Sequence, residues 1–338
     1  MSPRLRRYVA MATSVALLAA CTTREARIGT DDGSDACRAQ VVALDSTGNF
    51  FAEDIIRGAA MGAVGGAILG GLIAAATGQR GGNIAAGAAI GAAAGGIAGG
   101  TTGYFQARQQ QAVDQATLNQ TIAGDLAVEN AQLDRTQLAF NQLMDCRFAT
   151  AQRVREDLRA GRIQRGQAEN AMANLRAMTQ RDLQLAQTIN GRITERGAQF
   201  DTAIETVAPG VKEQVAAGAQ VGRVVPVAAR TTVPLKLRPD PAAPEVARVS
   251  PRERVTLAPA TGGFALVETS TGLRGYAPSS AFPEGRSLGS RPAVAAVANE
   301  GDVRSLAASN IARRDNFAES VGNAQRLVEG QGFELAAS

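Results

Sequence analysis

Arg153-Val154-Arg155-Glu156-Asp157-Leu158-Arg159-Ala160-Gly161-Arg162 is the stretch whose reading decides how the middle of the chain folds. A helix-compatible run meets a basic last turn at Arg159 and stops at Gly161, the residue type that most readily ends a helix in a left-handed conformation. Upstream of the stop, Leu133, Phe140, Met144, Phe148, Ala151, Val154 and Leu158 form an apolar stripe with steps near the helical period. Downstream, Met172, Leu175, Met178, Leu185, Ile189, Ile193, Phe200, Ile204 and Val207 form a second stripe, closed by Pro209-Gly210. Two stripes of matched length around a short turn predict an antiparallel helical hairpin over residues 106–208. An intermolecular coiled coil is the alternative, although Gly191 and Gly197 interrupt a strict heptad. The charges around the turn, including Arg153, Arg155, Glu156, Asp157 and Arg159, alternate in sign and read as a solvated face.

Before this hairpin lie two glycine ladders. Gly58, Gly62, Gly66 and Gly70 recur at every fourth residue, and after Thr77-Gly78-Gln79-Arg80-Gly81-Gly82-Asn83 the period resumes at Gly87, Gly91, Gly95, Gly99 and Gly103. Residues four apart share a helix face, so each ladder offers a smooth groove for close backbone approach. Glycine inside a soluble helix costs about 1 kcal/mol against alanine, and the regular period therefore implies a compensating contact. Residues 54–105 are expected to form a second, shorter helical hairpin, preceded by a short helix between Ala36 and Asp54. Gly58 to Thr77 is 20 residues without a charge, about 30 Å as helix. Large apolar side chains are sparse, especially after Ile84, so a membrane-inserted hairpin, a packed periplasmic or oligomeric one, and a low-complexity tract all stay open. Asp54 and Arg57 flank one base, Gln106 and Arg108 the other, which puts both ends on one side.

Composition narrows the chemistry. The 338 residues include no histidine and no tryptophan, and aromatics are 4%. A Ser-His-Asp triad, a Cys-His dyad and a His-bearing zinc site are thereby excluded, and we expect no enzymatic activity, no metal and no cofactor. Adjacent Glu156 and Asp157 point apart on a helix and make a poor carboxylate pair. The formal charge of +4 falls to about +1 without Arg4, Arg6 and Arg7 of the leader, which gives no basis for nucleic-acid binding.

Residues 1–20 read as an export signal, with a basic start and an apolar run from Tyr8 too short to span a bilayer. Leu18-Ala19-Ala20-Cys21 resembles the lipobox of bacterial lipoproteins, in which the cysteine receives diacylglycerol and an N-acyl chain; an ordinary secretory leader with an incidental cysteine is the plainer reading. By that resemblance Cys21 is the lipidated first residue, residues 21–53 are its tether, and Thr22 in the next position implies outer-membrane delivery, facing the periplasm. Cys37 and Cys146 remain, and an even pair in an oxidising compartment reads as a disulfide enclosing the whole ladder, with two buried thiols as the alternative.

The ladder region resembles the glycine-zipper domains of bacterial envelope proteins, including the rickettsial surface-antigen type of outer-membrane lipoprotein. Further on, residues 223–285 turn strand-like, with Pro and turn residues at short intervals. Leu235-Lys236-Leu237-Arg238-Pro239-Asp240-Pro241 resembles the opening motif of bacterial SH3 domains, with Glu245–Val249, Glu253–Leu257, Gly262–Val267 and Gly272–Ala277 at the places of its later strands. The resemblance implies a small β-barrel recognising peptidoglycan or a periplasmic protein through Arg238, Phe264 and Tyr276, although that family usually has tryptophan at the last two positions. Core packing is the plainer role for both rings. Residues 286–301 read as a linker and residues 302–330 as a C-terminal helix that packs on the hairpin or docks a partner.

The sequence as a whole thus predicts a mainly α, multidomain chain: a glycine-zipper hairpin, a long antiparallel helical hairpin, an SH3-like β-barrel and a last helix. It reads as a non-enzymatic outer-membrane lipoprotein with a structural or adaptor role, its long helices acting as a spacer of about 60 Å that carries the barrel toward the cell wall. A homo-oligomeric zipper assembly, a pore or secretion-system component, is the alternative.

Overall fold

The computed structural model describes residues 24–51, 103–220, 224–288, 302–330 and 332–335. Cys21 and the ladder glycines from Gly58 to Gly99 lie outside the described residues; Gly103 opens a helix. In chain order the elements are α1 (Arg24–Ile28), α2 (residues 38–51), α3 (Gly103–Gln111), α4 (Gln115–Arg159), α5 (Arg165–Val207) and α6 (Val211–Gln220). Then come β1 (Val225–Ala228), β2 (Val233–Lys236), β3 (Glu245–Val249), β4 (Arg254–Pro259), β5 (Phe264–Thr269), β6 (Arg274–Pro278) and α7 (Val303–Glu329).

The hairpin is α4 and α5. Asp114 starts α4 by accepting from the Thr117 amide at 2.7 Å, the usual service of an N-cap carboxylate to an orphan donor. Gly161 ends the pair's first arm with φ +68°, a conformation that favours glycine. At the start of α5 the Gln164 backbone amide donates to the Gln167 side chain at 2.9 Å. The two apolar stripes face each other within one chain.

Two further helices cover opposite flanks of this hairpin. On one flank lies α7, where Arg313 Nε donates to Asp134 at 2.7 Å, Gln187 to Gln325 at 2.8 Å and Asn130 to the Leu306 carbonyl at 3.2 Å. The Phe317 ring meets Phe140 edge-on at 5.7 Å. The C-terminal helix is therefore a structural member of the bundle. On the other flank lies α2, whose Gly48 lets α5 approach so closely that an added Cβ would sit 2.8 Å from Ile189 Cγ1. The stretch read as a tether is docked as well: Arg27 grips Asp45 of α2 at 2.8 and 3.0 Å, and Arg38 donates to the Ile28 and Gly29 carbonyls at 2.6 Å each.

The β segment forms one antiparallel sheet in the order β1-β4-β5-β6-β2-β3. It is open, with β1 and β3 at its edges; Gln152 of α4 covers edge strand β3 by donating to the Glu245 carbonyl at 2.8 Å. Gly275 permits the close pairing of β6 with β2, since a Cβ there would come within 2.7 Å of Leu235 Cβ. One apolar cluster runs from Leu44 and Phe51 through Phe148 and Phe317 to Leu235, Val267 and Phe282, so the sheet and the bundle share a core. The sheet thus lies against the side of the long helices, rather than beyond their tip as a spacer reading requires. Among the described residues no helix is long and apolar enough to cross a membrane.

Phe317 is 1% exposed at the centre of this core. Phe317→Ala is expected to lower stability by about 3–5 kcal/mol, read from the chemical-denaturation midpoint of the helical signal; a loss below about 1 kcal/mol would show α7 to be peripheral.

Candidate functional site

Two junctions organise the described part of the chain, one at the start of α2 and one at its end. A disulfide joins Cys37, just before α2, to Cys146 in α4 across 109 residues. The ladder lies inside the covalent loop that this bond closes. Arg147, the next residue, is 1% exposed and joins three segments. Its guanidinium donates to Asp35 at 2.5 and 2.8 Å and to Asp182 of α5 at 2.7 Å, with the Met178 sulfur at 3.6 Å. Removing one partner of such a group leaves an uncompensated buried charge.

The two carboxylates respond in opposite directions. Burial pushes Asp35 up, but hydrogen bonds from Arg147 and the Cys37 amide overcome it and hold the group below the ordinary carboxylate range. Burial also pushes Asp182 up, and there it outweighs Arg147, so the group sits above that range. Beside them a cleft of about 290 Å³ is lined by Ser34, Asp35, Arg147, Thr150, Asn174 and Met178. Its charged groups, Asp35 and Arg147, are bonded to each other. Among the described residues no group of three metal-ligating side chains converges.

A second junction is a column of rings and guanidinium groups. Arg196 of α5 lies 4.9 Å from the Phe50 ring centre and 5.8 Å from that of Phe200, and it also donates to Glu129 at 2.7 Å. Phe200 meets Tyr104 of α3 at 4.9 Å, and Arg108 lies 5.8 Å beyond. Cation–π contacts of this kind contribute about 0.5–2 kcal/mol each. The Tyr104 hydroxyl donates to Asp125 at 2.6 Å, and burial together with that carboxylate raises its pKa. The column connects residue 50, one turn before the ladder segment, to residue 104 just after it, so both ends emerge at one place on α5.

The predicted recognition residues of the sheet are engaged by the helices. Register places Tyr276 opposite Leu266, two residues from Phe264, so both rings share a sheet face. Phe264 is 8% exposed, which fits the packing role. Tyr276 Oη accepts from Asn323 of α7 at 3.2 Å. Arg238 follows β2; it donates to Asp145 of α4 through Nε at 3.3 Å and through Nη2, and to Asp240 at 2.7 Å. All three face inward or toward the bundle.

Three buried groups escaped the sequence reading. Arg147 follows Cys146 between stripe residues Met144 and Phe148, and Asp182 falls between Met178 and Leu185; a charge at a stripe position is the signal of a buried partner. Arg155, read as part of a solvated face, is 5% exposed and donates to the Glu334 and Gly332 carbonyls at 2.8 and 2.7 Å. It pins the segment around Phe333, whose ring packs 5.1 Å from Phe148.

Comparison with protein families, curated proteins and solved structures returns no match. The reading of function therefore rests on the residues themselves.

Two outcomes test this geometry. Because Asp35 is held low, its stabilisation is present above an unfolded pKa of about 4 and is lost as pH falls below it; Asp182, held high, loses its contribution as pH rises through the window above about 4. Asp35→Asn should therefore flatten the fall of the urea midpoint on the acid side, and an unchanged acid limb contradicts the assignment. At the sheet, a double-mutant cycle of Arg238→Ala and Asp145→Ala should give a coupling of about 1 kcal/mol, the pair being partly exposed; additive losses would show no seam.

Proposed function

We propose that the chain is an exported, lipid-anchored, non-enzymatic component of a bacterial envelope, acting as a structural or adaptor protein. The observation that carries this reading is the cysteine bookkeeping: two of the three cysteines, Cys37 and Cys146, are joined in a disulfide, and the third is Cys21, at the end of Leu18-Ala19-Ala20-Cys21. Disulfides persist in oxidising compartments, which agrees with an export leader. Thr22 supports delivery to the outer membrane, with the folded part in the periplasm.

The sheet is an SH3-like recognition module within this reading. Its support is positional, since β3, β4, β5 and β6 fall at the segments where the resemblance expects strands. Its ligand is peptidoglycan or a periplasmic protein, and a ligand that takes Arg238 must replace Asp145. The adaptor role is thus coupled to the contact between sheet and bundle.

The test is fractionation together with intact mass. The natural chain should reach the membrane fraction with acyl chains on Cys21, and Cys21→Ser should be released or retained unprocessed. A mature chain with no acyl mass contradicts the anchor. Mature protein should also co-sediment with purified peptidoglycan, less so after Tyr276→Ala; absence of co-sedimentation removes that ligand and leaves the protein partner.

A further inference from the structure

The end of the sheet away from Arg238 carries an unbalanced charge. Residues 229–232, 250–253 and 270–273 join β1 to β2, β3 to β4 and β5 to β6, and the antiparallel register brings all three connections to that end. Arg230 and Arg252 lie in the first two, and Arg254 opens β4 opposite Ala228. The Arg252 amide donates to the Ala229 carbonyl at 2.7 Å, which sets Arg230 beside it across the strands. Arg252 and Arg254 are at most about 7 Å apart along the chain. All three arginines are exposed, and among the described residues none of their guanidinium groups has a hydrogen-bond or ion-pair partner. The only carboxylate in these connections, Glu253, already accepts from the Ser250 amide at 2.8 Å.

Holding the three together costs the fold stability in two ways. Ser250-Pro251-Arg252-Glu253 is a tight turn closed by the Glu253 amide on the Ser250 carbonyl at 3.1 Å, and Arg252 takes φ +70° in it. Among the described residues it is the one non-glycine residue with a positive φ. The third position of such a turn ordinarily goes to glycine. Like charges on adjacent strands also repel. No contact within the described part of the chain offsets either cost, so the arrangement is one that an outside partner would explain.

The surroundings narrow that partner. The amides of the turn are spent inside it, on Ala229, Ser250 and Glu253, so no cradle of free N–H groups of the kind that holds a phosphate is formed there. Strand addition at the neighbouring edge is blunted as well. Ala229 exchanges both of its backbone bonds with the β4 side, and alternation then turns Pro226 outward on edge strand β1, where it has no amide to donate. What remains is side-chain recognition by guanidinium forks, which pair bidentately with carboxylates. In an extended segment, carboxylates two residues apart are spaced by about 7 Å, the reach between Arg252 and Arg254.

We propose that this end of the sheet is the docking surface for an acidic segment of a partner protein, whose closely spaced Asp or Glu carboxylates are taken by Arg230, Arg252 and Arg254. The inference rests on the reading of the sheet as a recognition module and is independent of the lipid on Cys21. It moves the contact away from Arg238, Phe264 and Tyr276, which pack inward or against the bundle, so that a partner can dock without displacing Asp145 or Asn323.

The test measures binding of fluorescein-labelled poly-L-glutamate to the purified full chain by anisotropy at low salt. The natural protein should bind, and more weakly as salt is raised. Arg230→Ser/Arg252→Ser/Arg254→Ser should weaken binding by about tenfold or more. Arg135→Ser/Arg159→Ser/Arg181→Ser removes the same charge from exposed positions on α4 and α5 and should bind like the natural protein. Arg252→Gly should keep or raise the denaturation midpoint while weakening binding, which a merely structural role would not produce. No binding by the natural protein, or equal loss in both triple variants, overturns the surface. Tighter binding to phosphatidylglycerol vesicles, lost in the first triple variant, overturns the acidic protein segment as its partner. Peptidoglycan co-sedimentation that falls with Tyr276→Ala and survives in the first triple variant keeps the recognition module and overturns this docking surface.

Discussion

Arg147 is the constraint on which the rest depends. It is a fully buried cation between two carboxylates from different segments, next to a disulfide cysteine, so a single turn of α4 fixes the N-terminal segment and α5 together. A disulfide restricts the unfolded ensemble but allows the native loop to pivot, whereas a bidentate guanidinium fixes orientation and contributes uncertain net energy. Placed at adjacent residues they set the register of α2 along α5, and that register puts Gly48 against Ile189 and Phe50 against Arg196.

Much of the architecture was legible because helical periodicity is a strong signal. The stop at Gly161 separated α4 from α5 correctly, and the last helix, read over residues 302–330, spans Val303–Glu329. The strands were also legible, since short β-branched runs between turn residues leave few other assignments. What could not be read was how the pieces meet. A polar run such as the first part of residues 21–53 has the composition of a tether, yet Arg27 and Asp35 give it specific partners in α2 and α4. The position of the sheet was missed for a similar reason: Asp145, Gln152 and Asn323 are ordinary polar helix residues until the partner strand is known. Composition reports the solvent preference of a residue and not its partner.

The candidate site shows the same division. The cysteine pairing followed from export and even number, and Phe264 packs as its plainer role required. The column from Phe50 to Arg108 had no sequence signature, because its five members come from three helices and only their side-chain stacking relates them.

The segment that precedes α2 belongs to the bundle, with α2 fixed on α5. Amide hydrogen exchange on the oxidised mature protein tests it most directly. Slow exchange across residues 38–51, comparable with α4 and α5 at the same level, is the predicted result. Exchange there as fast as in an unfolded peptide, beside a protected hairpin, would contradict the account.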